Sequence, residues 1–354
     1  MNIDSSMHIL QLAVERNAAD IFMIPGMPIS YKINGEILPV NDKKIFPDVM
    51  DQLIAEIYTI ANNRDIKKTE HGDDDFSFSV PRLARFRASV MKQRGSLAAI
   101  IRVVRFELPD PKQLGIPDSI LEISNLKKGL VLVTGAAGSG KSTTLSCIID
   151  KINHEHHSHI ITLEDPIEYL HRHNMSVVTQ REVGQDTDSY VTGLRAALRQ
   201  APDVILLGEM RDYETIRIAL TAAETGHLVI STLHTVGAAN SIDRIVDVFP
   251  ANAQQQIRVQ LSSVLQAVVS QQLLPTTDGK LTPAFEIMFL NNAIRNMIRE
   301  NKIHQIDNVI SMSMSEGMIS MNNSLLALLR SGRIDKETCI TNSPDPEQMR
   351  MRLV

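Results

Sequence analysis

The sequence predicts an α/β protein whose larger part is a doubly wound parallel sheet. Four apolar runs after residue 129 are continuous rather than alternating, which is typical of strands buried on both faces of a parallel sheet. Helical stretches separate these runs, so the elements follow a βαβ order. A glycine-rich loop with the pattern of a phosphate-binding motif follows the first run and precedes a helix. The runs are LVLVT (130–134), HIITL (159–163), DVILL (203–207) and HLVIS (227–231).

Residues 1–106 predict a smaller α/β domain that precedes this sheet. Short apolar runs bounded by turn residues predict strands, and residues 49–61 predict an amphipathic helix. An earlier helix is indicated by apolar residues at helical spacing after a polar cap, namely Ile9, Leu10, Ala13 and Val14. The predicted strands are IFMIP, ISYKI, FSFSV, RFRASVMKQ and LAAIIRVVRF.

Residues 107–118, with the sequence ELPDPKQLGIPD, predict a linker or hinge between two domains. Three prolines and one glycine make this segment unfavourable for a helix or a strand. A rigid surface loop inside a single domain is the alternative interpretation. On the first interpretation, the core domain covers residues 119–290.

The chain after residue 250 is predicted to be mainly helical. Helical spacing of apolar residues recurs in three stretches, which are 251–270, 292–300 and 322–330. We therefore expect residues 291–354 to form a helical C-terminal subdomain with a tail. The last dozen residues, NSPDPEQMRMRL, predict a frayed segment.

Composition and charge exclude several classes of protein. The length of 354 residues allows two domains and a sizeable core. The net charge of −5 and the lack of a dense Lys/Arg block disfavour nucleic acid as a partner. Two cysteines, Cys147 and Cys339, are too few for a disulfide framework or a four-cysteine zinc site. Neither an apolar run of roughly 18 residues nor a signal pattern is visible, so we expect a cytoplasmic protein.

The segment GAAGSGKS fits the phosphate-binding pattern G-x-x-x-x-G-K-[ST]. Backbone N–H groups of such a loop point at phosphate oxygens, and the positive end of the following helix adds to the attraction. The Lys141 side chain is predicted to reach the β- and γ-phosphates, and the Ser142 hydroxyl to bind Mg²⁺. A fortuitous glycine-rich turn is the alternative. We expect ATP and Mg²⁺ as cofactors, with the nucleotide held by Gly135, Ala136, Ala137, Gly138, Ser139, Gly140, Lys141, Ser142 and Thr143.

Polar side chains follow three further apolar runs, at the edge where a parallel sheet binds its ligand. Glu164 follows IITL, Glu209 follows VILLG, and His234 follows VISTL. Phosphoryl transfer needs a metal ion and a group that orients water. Glu209 is predicted to hold Mg²⁺ directly or through water, and Glu164 to orient and deprotonate the attacking water. These two roles could be exchanged, and each acid could instead cap a helix at the surface.

Histidines and arginines add further candidates for nucleotide contact. His227 and His234 flank one strand, where they could report the γ-phosphate to the sheet or to a next subunit; a structural role is the alternative. The histidine-rich run 154–159 lacks ligand spacing, which disfavours a metal site. Four arginines on the last strands of the first domain form either a solvated face or a charge clamp offered to a nucleotide across a boundary. They are Arg85, Arg87, Arg94 and Arg102.

Four segments of the core resemble, in order, the Walker A, Asp box, Walker B and His box of the secretion ATPase superfamily. They are GAAGSGKSTT, ITLEDPIEYLH, DVILLGEMRDYETI and GHLVISTLHT. The segment AADIFMIPGMPISYKINGEI is similar to the start of the PAS-like N-terminal domain of that superfamily. Residues 293–300, AIRNMIRE, are similar to the AIRNLIRE motif of its pilus-retraction branch, with Met297 in place of Leu. The first motif departs from the usual GPTGSGKS at Ala136 and Ala137, which keep the loop small.

The resemblance implies a PAS-like N-terminal domain, a RecA-like P-loop core and a helical C-terminal subdomain. It further implies a homohexameric ring in which arginines of an N-terminal domain contact each nucleotide; this places Arg85, Arg87, Arg94 and Arg102 in the contact group. The implied activity is Mg²⁺-dependent ATP hydrolysis that powers type IV pilus retraction and twitching motility. The implied partner is an inner-membrane pilus platform protein, through which alone the chain would reach the cytoplasmic face of the membrane. No nucleic acid is involved.

Two other functions remain open at this level. The chain could be an extension or type II secretion motor of the same superfamily, although it lacks the long N-terminal extension and the four-cysteine zinc site of extension motors. It could also be a non-catalytic, nucleotide-sensing regulator of such a motor. The AIRNMIRE helix is expected to contact something outside the ATP site through Arg295, Arg299 and Glu300. Substitution of Arg295 by Ala should then spare ATP turnover and impair retraction.

Overall fold

The computed structural model describes residues 5–33, 35–62, 72–104 and 108–353. The chain folds as two compact units. The first contains Met1–Glu107 with Glu168–Leu170, and the second contains Leu108–Ile167 with His171–Val354. The predicted linker 107–118 has neither helix nor strand over residues 108–117.

In the described residues, the first unit has two helices and a six-stranded antiparallel sheet with the strand order β3-β2-β1-β6-β5-β4. Alternate residues of β5, such as Phe86 and Ala88, are fully buried, so one face of the sheet packs against the helices. The elements are α1 Ser6–Glu15, β1 Asp20–Met23, β2 Ser30–Ile33, β3 Glu36–Pro39, α2 Pro47–Ile60, β4 Asp74–Val80, β5 Ala84–Gln93 and β6 Ser96–Val104.

This unit confirms both predicted helices and all five predicted strands. The end of the last predicted strand, residues 105–106, lies outside the described residues. Strand β3 was not predicted, because all four of its residues are exposed and carry no buried alternation.

The second unit contains a seven-stranded sheet in the order β13-β12-β7-β11-β10-β8-β9. All neighbouring pairs from β12 to β9 are parallel, and only β13 pairs antiparallel. The elements up to the last strand are α3 Asp118–Leu121, β7 Gly129–Thr134, α4 Lys141–Glu155, β8 His159–Glu164, β9 Val177–Glu182, α5 Tyr190–Ala197, β10 Val204–Leu207, α6 Tyr213–Glu224, β11 Leu228–Leu233, α7 Ala238–Asp247, α8 Ala251–Val264, β12 Leu265–Pro275 and β13 Leu281–Phe289.

Strand β7 shows why this sheet is doubly wound. Leu130 and Leu132 pack into a core with residues of α6, α7 and α8, whereas Val131 and Val133 pack into a second core with residues of α4. Every residue of β7, β10 and β11 is buried. The structure therefore confirms the four predicted apolar strands and the RecA-like α/β core.

Five α-helices follow the sheet in the described residues. They are α9 Asn292–Arg299, α10 Ile306–Met312, α11 Met321–Arg330, α12 Lys336–Thr341 and α13 Pro346–Arg352. None of the helices in the described part of the chain is long and apolar enough to cross a bilayer.

Two predictions about the C-terminal half were wrong. The predicted helix 251–270 ends at Val264, and Leu265 begins β12, which pairs with β7. A short apolar run fits a buried strand and a buried helix equally well, so its spacing did not separate them. The last dozen residues are not frayed: Asp345 caps α13 by accepting from the Gln348 N–H at 2.9 Å, and Met349 is fully buried.

Candidate nucleotide-binding site

The glycine-rich loop lies between the carboxyl end of β7 and the first residue of α4, Lys141. Gly135 has a φ of +141°, and a Cβ there would lie 2.2 Å from the backbone oxygen of Gln271. Gly140 has a φ of +88°, and a Cβ there would lie 2.8 Å from Nε2 of Gln271. The backbone clash excludes other residues at Gly135, and the positive φ favours glycine at Gly140. These glycines allow the backbone to form a concave loop at the helix N-terminus.

Lys141 is folded back onto the loop. Its Nζ donates to the carbonyl oxygens of Gly135 at 2.8 Å and Ala136 at 2.9 Å, and the residue is 8% exposed. Nearby, the buried Ser139 hydroxyl has no hydrogen-bond partner in the described structure. An unpaired buried hydroxyl is costly, and phosphate oxygens are acceptors that would satisfy it. These groups fit a nucleotide phosphate chain.

Glu164 is the last residue of β8 and is half-buried. Its Oε1 accepts from the Thr162 hydroxyl at 2.6 Å and from the Gln180 amide at 3.2 Å. Gln180 also accepts from the backbone N–H of His171 at 2.8 Å. The carboxylate is thus oriented by two neutral donors, and the sequence had not pointed to either of them.

Glu209 lies just beyond β10 and meets the predicted histidine. Its Oε2 accepts from Nε of Arg211 at 2.6 Å and lies 3.2 Å from Nε2 of His234. The Glu209 side chain is 15% exposed, whereas that of Arg211 is 73% exposed. These three residues, with Thr235 and others, line a cavity of about 280 Å³. The structure therefore brings Glu209 and His234 together, as the sequence predicted.

Tyr190, at the start of α5, lies among the carboxylates of this edge. Burial raises the pKa of its phenol, and the negative charges of Glu209, Asp165 and Glu164 raise that pKa further. Strands β8 and β10 pair in parallel with Leu163 opposite Leu207, so Glu164 and Glu209, which follow these residues, lie at the same edge of the sheet. The Tyr190 hydroxyl would also lie 2.6 Å from a Cβ at Gly208. No sequence pattern pointed to Tyr190, because it does not directly follow one of the apolar runs.

His227 does not belong to this edge. Strands β7 and β11 are parallel and in register from Gly129 with Leu228 to Thr134 with Leu233. His227 precedes β11, and its carbonyl accepts from the Gly129 N–H at the opposite end of the sheet. The two ends are roughly 20 Å apart for a strand of this length. The prediction that His227 contacts the nucleotide of this loop was wrong; its ring Nδ1 lies 3.0 Å from the carbonyl of Ala222.

Three of the four predicted arginines share one face of the first unit's sheet. Arg85 and Arg87 alternate with buried residues of β5, and Arg102 is the register partner of Arg87 on β6. Nη1 of Arg85 donates to the Ser79 hydroxyl at 3.3 Å, and Nε of Arg102 donates to Asp20 at 2.9 Å. Arg94 instead lies in the turn between β5 and β6, with a φ of +50°.

A second cavity of about 260 Å³ adjoins the phosphate loop within the second unit. The Thr282 hydroxyl on its wall is buried and has no hydrogen-bond partner in the described structure. The sequence analysis missed this cavity, because two of its walls are the unpredicted strands β12 and β13. Its lining includes Gly140, Thr143, Thr144, Gln271, Leu273, Leu281, Thr282, Pro283 and Arg333.

The donor set also fits a P-loop magnesium ion. No group of three or more His, Cys, Asp or Glu side chains within the described ranges is placed to hold a metal. Magnesium at phosphates does not need such a cage, because it keeps several waters and binds one or two protein ligands. The Ser142 hydroxyl and one of the acids Glu164 and Glu209 would supply them.

A phosphate loop between a buried strand and a helix, with acids after neighbouring parallel strands, defines a P-loop NTPase with a RecA-like core. A family model described as type II/IV secretion system protein matches residues 2–324. The chain belongs to this family and is an ATP-hydrolysing enzyme.

Relatives of known description match almost the whole chain. A type IV pilus retraction ATPase, PilT of Pseudomonas aeruginosa, is 42% identical over 340 residues, which cover 96% of this chain and 98% of the relative. A twitching motility protein of Neisseria gonorrhoeae is 43% identical over 321 residues, covering 90% of this chain and 85% of the relative. A crystal structure of the pilus retraction motor PilT with bound ADP is 46% identical, with a TM-score of 0.87 over 98% of this chain and 99% of that one.

Proposed function

We propose that this chain is a Mg²⁺-dependent ATPase motor that couples ATP hydrolysis to type IV pilus retraction and twitching motility. The proposal rests on one observation. An intact phosphate loop and its edge acids lie in a chain that matches a pilus retraction motor with bound ADP along 98% of its length. The working form is a homohexameric ring in the cytoplasm, attached to the membrane through an inner-membrane platform protein. Nucleic acid has no part in this function.

In this proposal the loop binds the nucleotide phosphates. Lys141 exchanges the carbonyls of Gly135 and Ala136 for β- and γ-phosphate oxygens, because an ammonium binds a charged acceptor more strongly than a neutral one. Backbone N–H groups of the loop and the Ser139 hydroxyl complete the cradle. We assign the base or ribose to the adjoining cavity, whose lining includes Thr143.

The two acids at the sheet edge divide the metal and water roles. Mg²⁺ neutralises phosphate charge when it is bound. We assign it to Ser142 and, through water, to Glu209, and we assign activation of water to Glu164. The ion pair of Glu209 with Arg211 is weak, because the arginine is mostly exposed, so it can separate when a ligand arrives. His234 stays beside Glu209, where it can respond to charge at the γ-phosphate.

A pair of isosteric substitutions tests this division. Loss of the water-activating acid should lower kcat strongly while ATP binding is retained. Loss of the metal-binding acid should raise the Mg²⁺ concentration needed for half-maximal turnover. We expect Glu164→Gln to give the first result and Glu209→Gln the second. The reverse pattern would exchange the two roles, and two unaffected enzymes would remove both acids from the reaction.

The arginines of the first unit are proposed to contact a nucleotide in the ring. Arg85, Arg87 and Arg102 share a face, which makes them a cationic surface of the kind that phosphates require. Substitution of Arg87 by Ala should lower turnover without unfolding the domain, because the side chain is exposed. Unchanged turnover in this variant and in Arg102→Ala would favour a solvated face.

The biological role is tested in a strain that lacks this gene. The strain is complemented either with the wild-type gene or with Lys141→Ala, which should abolish turnover. Abundant surface pili without twitching, rescued by the wild type alone, would support a retraction motor. Cells without pili would indicate an extension motor. Negligible turnover by the purified wild-type protein, despite ATP binding, would indicate a regulator.

A further inference from the structure

Gln271 is a buried polar residue of β12 that contacts the phosphate loop at two glycines and the first turn of α4 at one threonine. Its backbone oxygen closes the space above Gly135, and its Nε2 closes the space above Gly140. Its Oε1 accepts from the hydroxyl of Thr144, in the first turn of α4, at 2.7 Å. Gln271 is 3% exposed and Thr144 is 1% exposed, so this hydrogen bond is shielded from water.

The residue before Gln271 holds the other loop of the site. Ser270 accepts from the Gly237 N–H at 2.9 Å, at the point where the chain enters α7 after His234. Successive residues of a strand point to opposite faces of the sheet. Strand β12 therefore presents Gln271 to the phosphate loop, and it presents the preceding residue, Ser270, to the loop between His234 and α7.

We propose that Gln271 is a positioning residue that holds the phosphate loop and the first turn of α4 in the conformation that binds nucleotide phosphates. This inference rests on the proposed function, and specifically on nucleotide binding at this loop. Glycines at positive φ leave a loop conformationally free, so it must be fixed from outside if its N–H groups are to stay aimed at a ligand. Preorganised donors bind more tightly, because no ordering is left to be done on binding.

A neutral amide suits this position better than the alternatives. An apolar side chain of the same size would fill the space but would leave the buried Thr144 hydroxyl without its acceptor. A carboxylate would accept from Thr144 but would bring negative charge to the loop that must receive phosphates. Glutamine supplies the acceptor, the steric stop at Gly140 and no charge.

The test compares three variants of the full chain with a matched control. Gln271→Met and Thr144→Val each remove the hydrogen bond at nearly constant volume, and the third variant combines them. Gln272→Met is the control, because this adjacent glutamine contacts the carbonyl of Asn342 instead. The readouts are the Kd values of ATP and ADP, kcat at saturating ATP, and Tm without nucleotide.

We expect both single substitutions to weaken ATP and ADP binding by about 3- to 10-fold, the range for loss of one buried hydrogen bond. The value of kcat at saturation should stay within about twofold, because the loss concerns ground and transition state alike. The double variant should bind as weakly as the weaker single variant and no more weakly, since both remove one interaction. Gln272→Met should bind like the wild type.

The inference is overturned if Gln271→Met and Thr144→Val bind nucleotide like the wild type, or if their effects add. It is also overturned if Gln272→Met shows the same loss, since the effect would then be general to the strand. Should Gln271→Met fail to fold, Thr144→Val and its Kd values decide alone. Failure of the premise, nucleotide binding at this loop, looks different, because the wild type itself would then bind no nucleotide and Lys141→Ala would change nothing. Failure of the motor function alone leaves wild-type ATP binding intact and is read from turnover and twitching instead.

Discussion

Arg295, in the motif that resembles the retraction branch, is part of the fold. Its Nη1 donates to the backbone carbonyl of Ser262 and lies 3.5 Å from that of Ser263. Both serines belong to the last turn of α8, whose carbonyls have no partner within the helix. The neighbouring Arg299 donates from Nε to the Ser262 hydroxyl at 3.1 Å. Arg295 therefore caps α8 with a charge of the favourable sign for a helix C-terminus.

This geometry gives a magnitude for Arg295→Ala. A hydrogen bond from a charged group contributes about 1.5–3 kcal/mol, and a cation at a helix C-terminus about 0.3–1 kcal/mol. Arg295 is only partly buried, so solvent screening reduces the sum, and we expect a loss of about 1–2 kcal/mol in the free energy of unfolding. In a unit of this size, that loss lowers Tm by roughly 2–8 °C.

The assay is thermal and urea unfolding of the purified full chain, with ATP turnover measured well below Tm. Asn296→Ala is the matched control, because Asn296 is exposed on the same helix and should stay within about 0.5 kcal/mol of the wild type. If Arg295→Ala unfolds with the same Tm and midpoint as the wild type, the cap does not contribute and the reasoning is refuted. A retraction defect in this variant then has to come from an external contact.

Three further predictions concern the loop, the tail and a partly buried histidine. Gly135→Ala should abolish nucleotide binding, because the added Cβ would lie 2.2 Å from the Gln271 oxygen; equilibrium binding of ADP would check this, and wild-type affinity would contradict it. Asp345→Ala should lower the free energy of unfolding by about 1 kcal/mol through loss of the α13 cap, measured by urea unfolding against Glu347→Ala as the control; equal midpoints would argue against the cap. His171 should make the protein less stable as the pH falls from about 6.5 to about 4. Burial, and secondarily the charge of His154, lowers its pKa to about 4 in the folded state, so the unfolded chain binds the extra proton, and the loss approaches about 3 kcal/mol over this range. Unfolding at a series of pH values should show a smaller slope for His171→Gln, and an equal slope would exclude this histidine as the cause.

The sequence predicted those parts of the site that depend on local pattern. The phosphate loop is contiguous, so its motif and the flanking strand and helix can be recognised together. Glu164, Glu209 and His234 were found because the carboxyl ends of parallel strands meet at one edge. His227 was misplaced although the same rule excludes it: His227 comes before β11, at the amino end of the strand and therefore at the opposite edge.

The residues that hold the site in place were missed, because their partners are distant in sequence. Thr144 meets Gln271 across 127 positions, and Gln180 meets Glu164 across 16. No motif or periodicity connects such pairs; only the strand order brings them together. The wrong prediction of a helix over 251–270 also contributed, because it assigned the first residues of β12 to a helix. The strand that carries Gln271 was therefore absent from the predicted sheet.

Buried polar residues of the β12–β13 hairpin connect strand β12, which was predicted as a helix, to the loops of the candidate site. An apolar hairpin would avoid the cost of burying polar groups, yet the hairpin buries Ser270, Gln271, Thr282 and Glu286. Ser270 and Gln271 bind the two loops of the site. Glu286 accepts from the Ala238 N–H at 2.8 Å, in the first turn of α7, and burial raises its pKa. Thr282 has no partner in the described structure and lines the cavity beside the phosphate loop. These polar groups contribute little to the core. We therefore attribute their placement to a role in positioning the two loops and shaping the cavity, and not to stabilisation of the sheet.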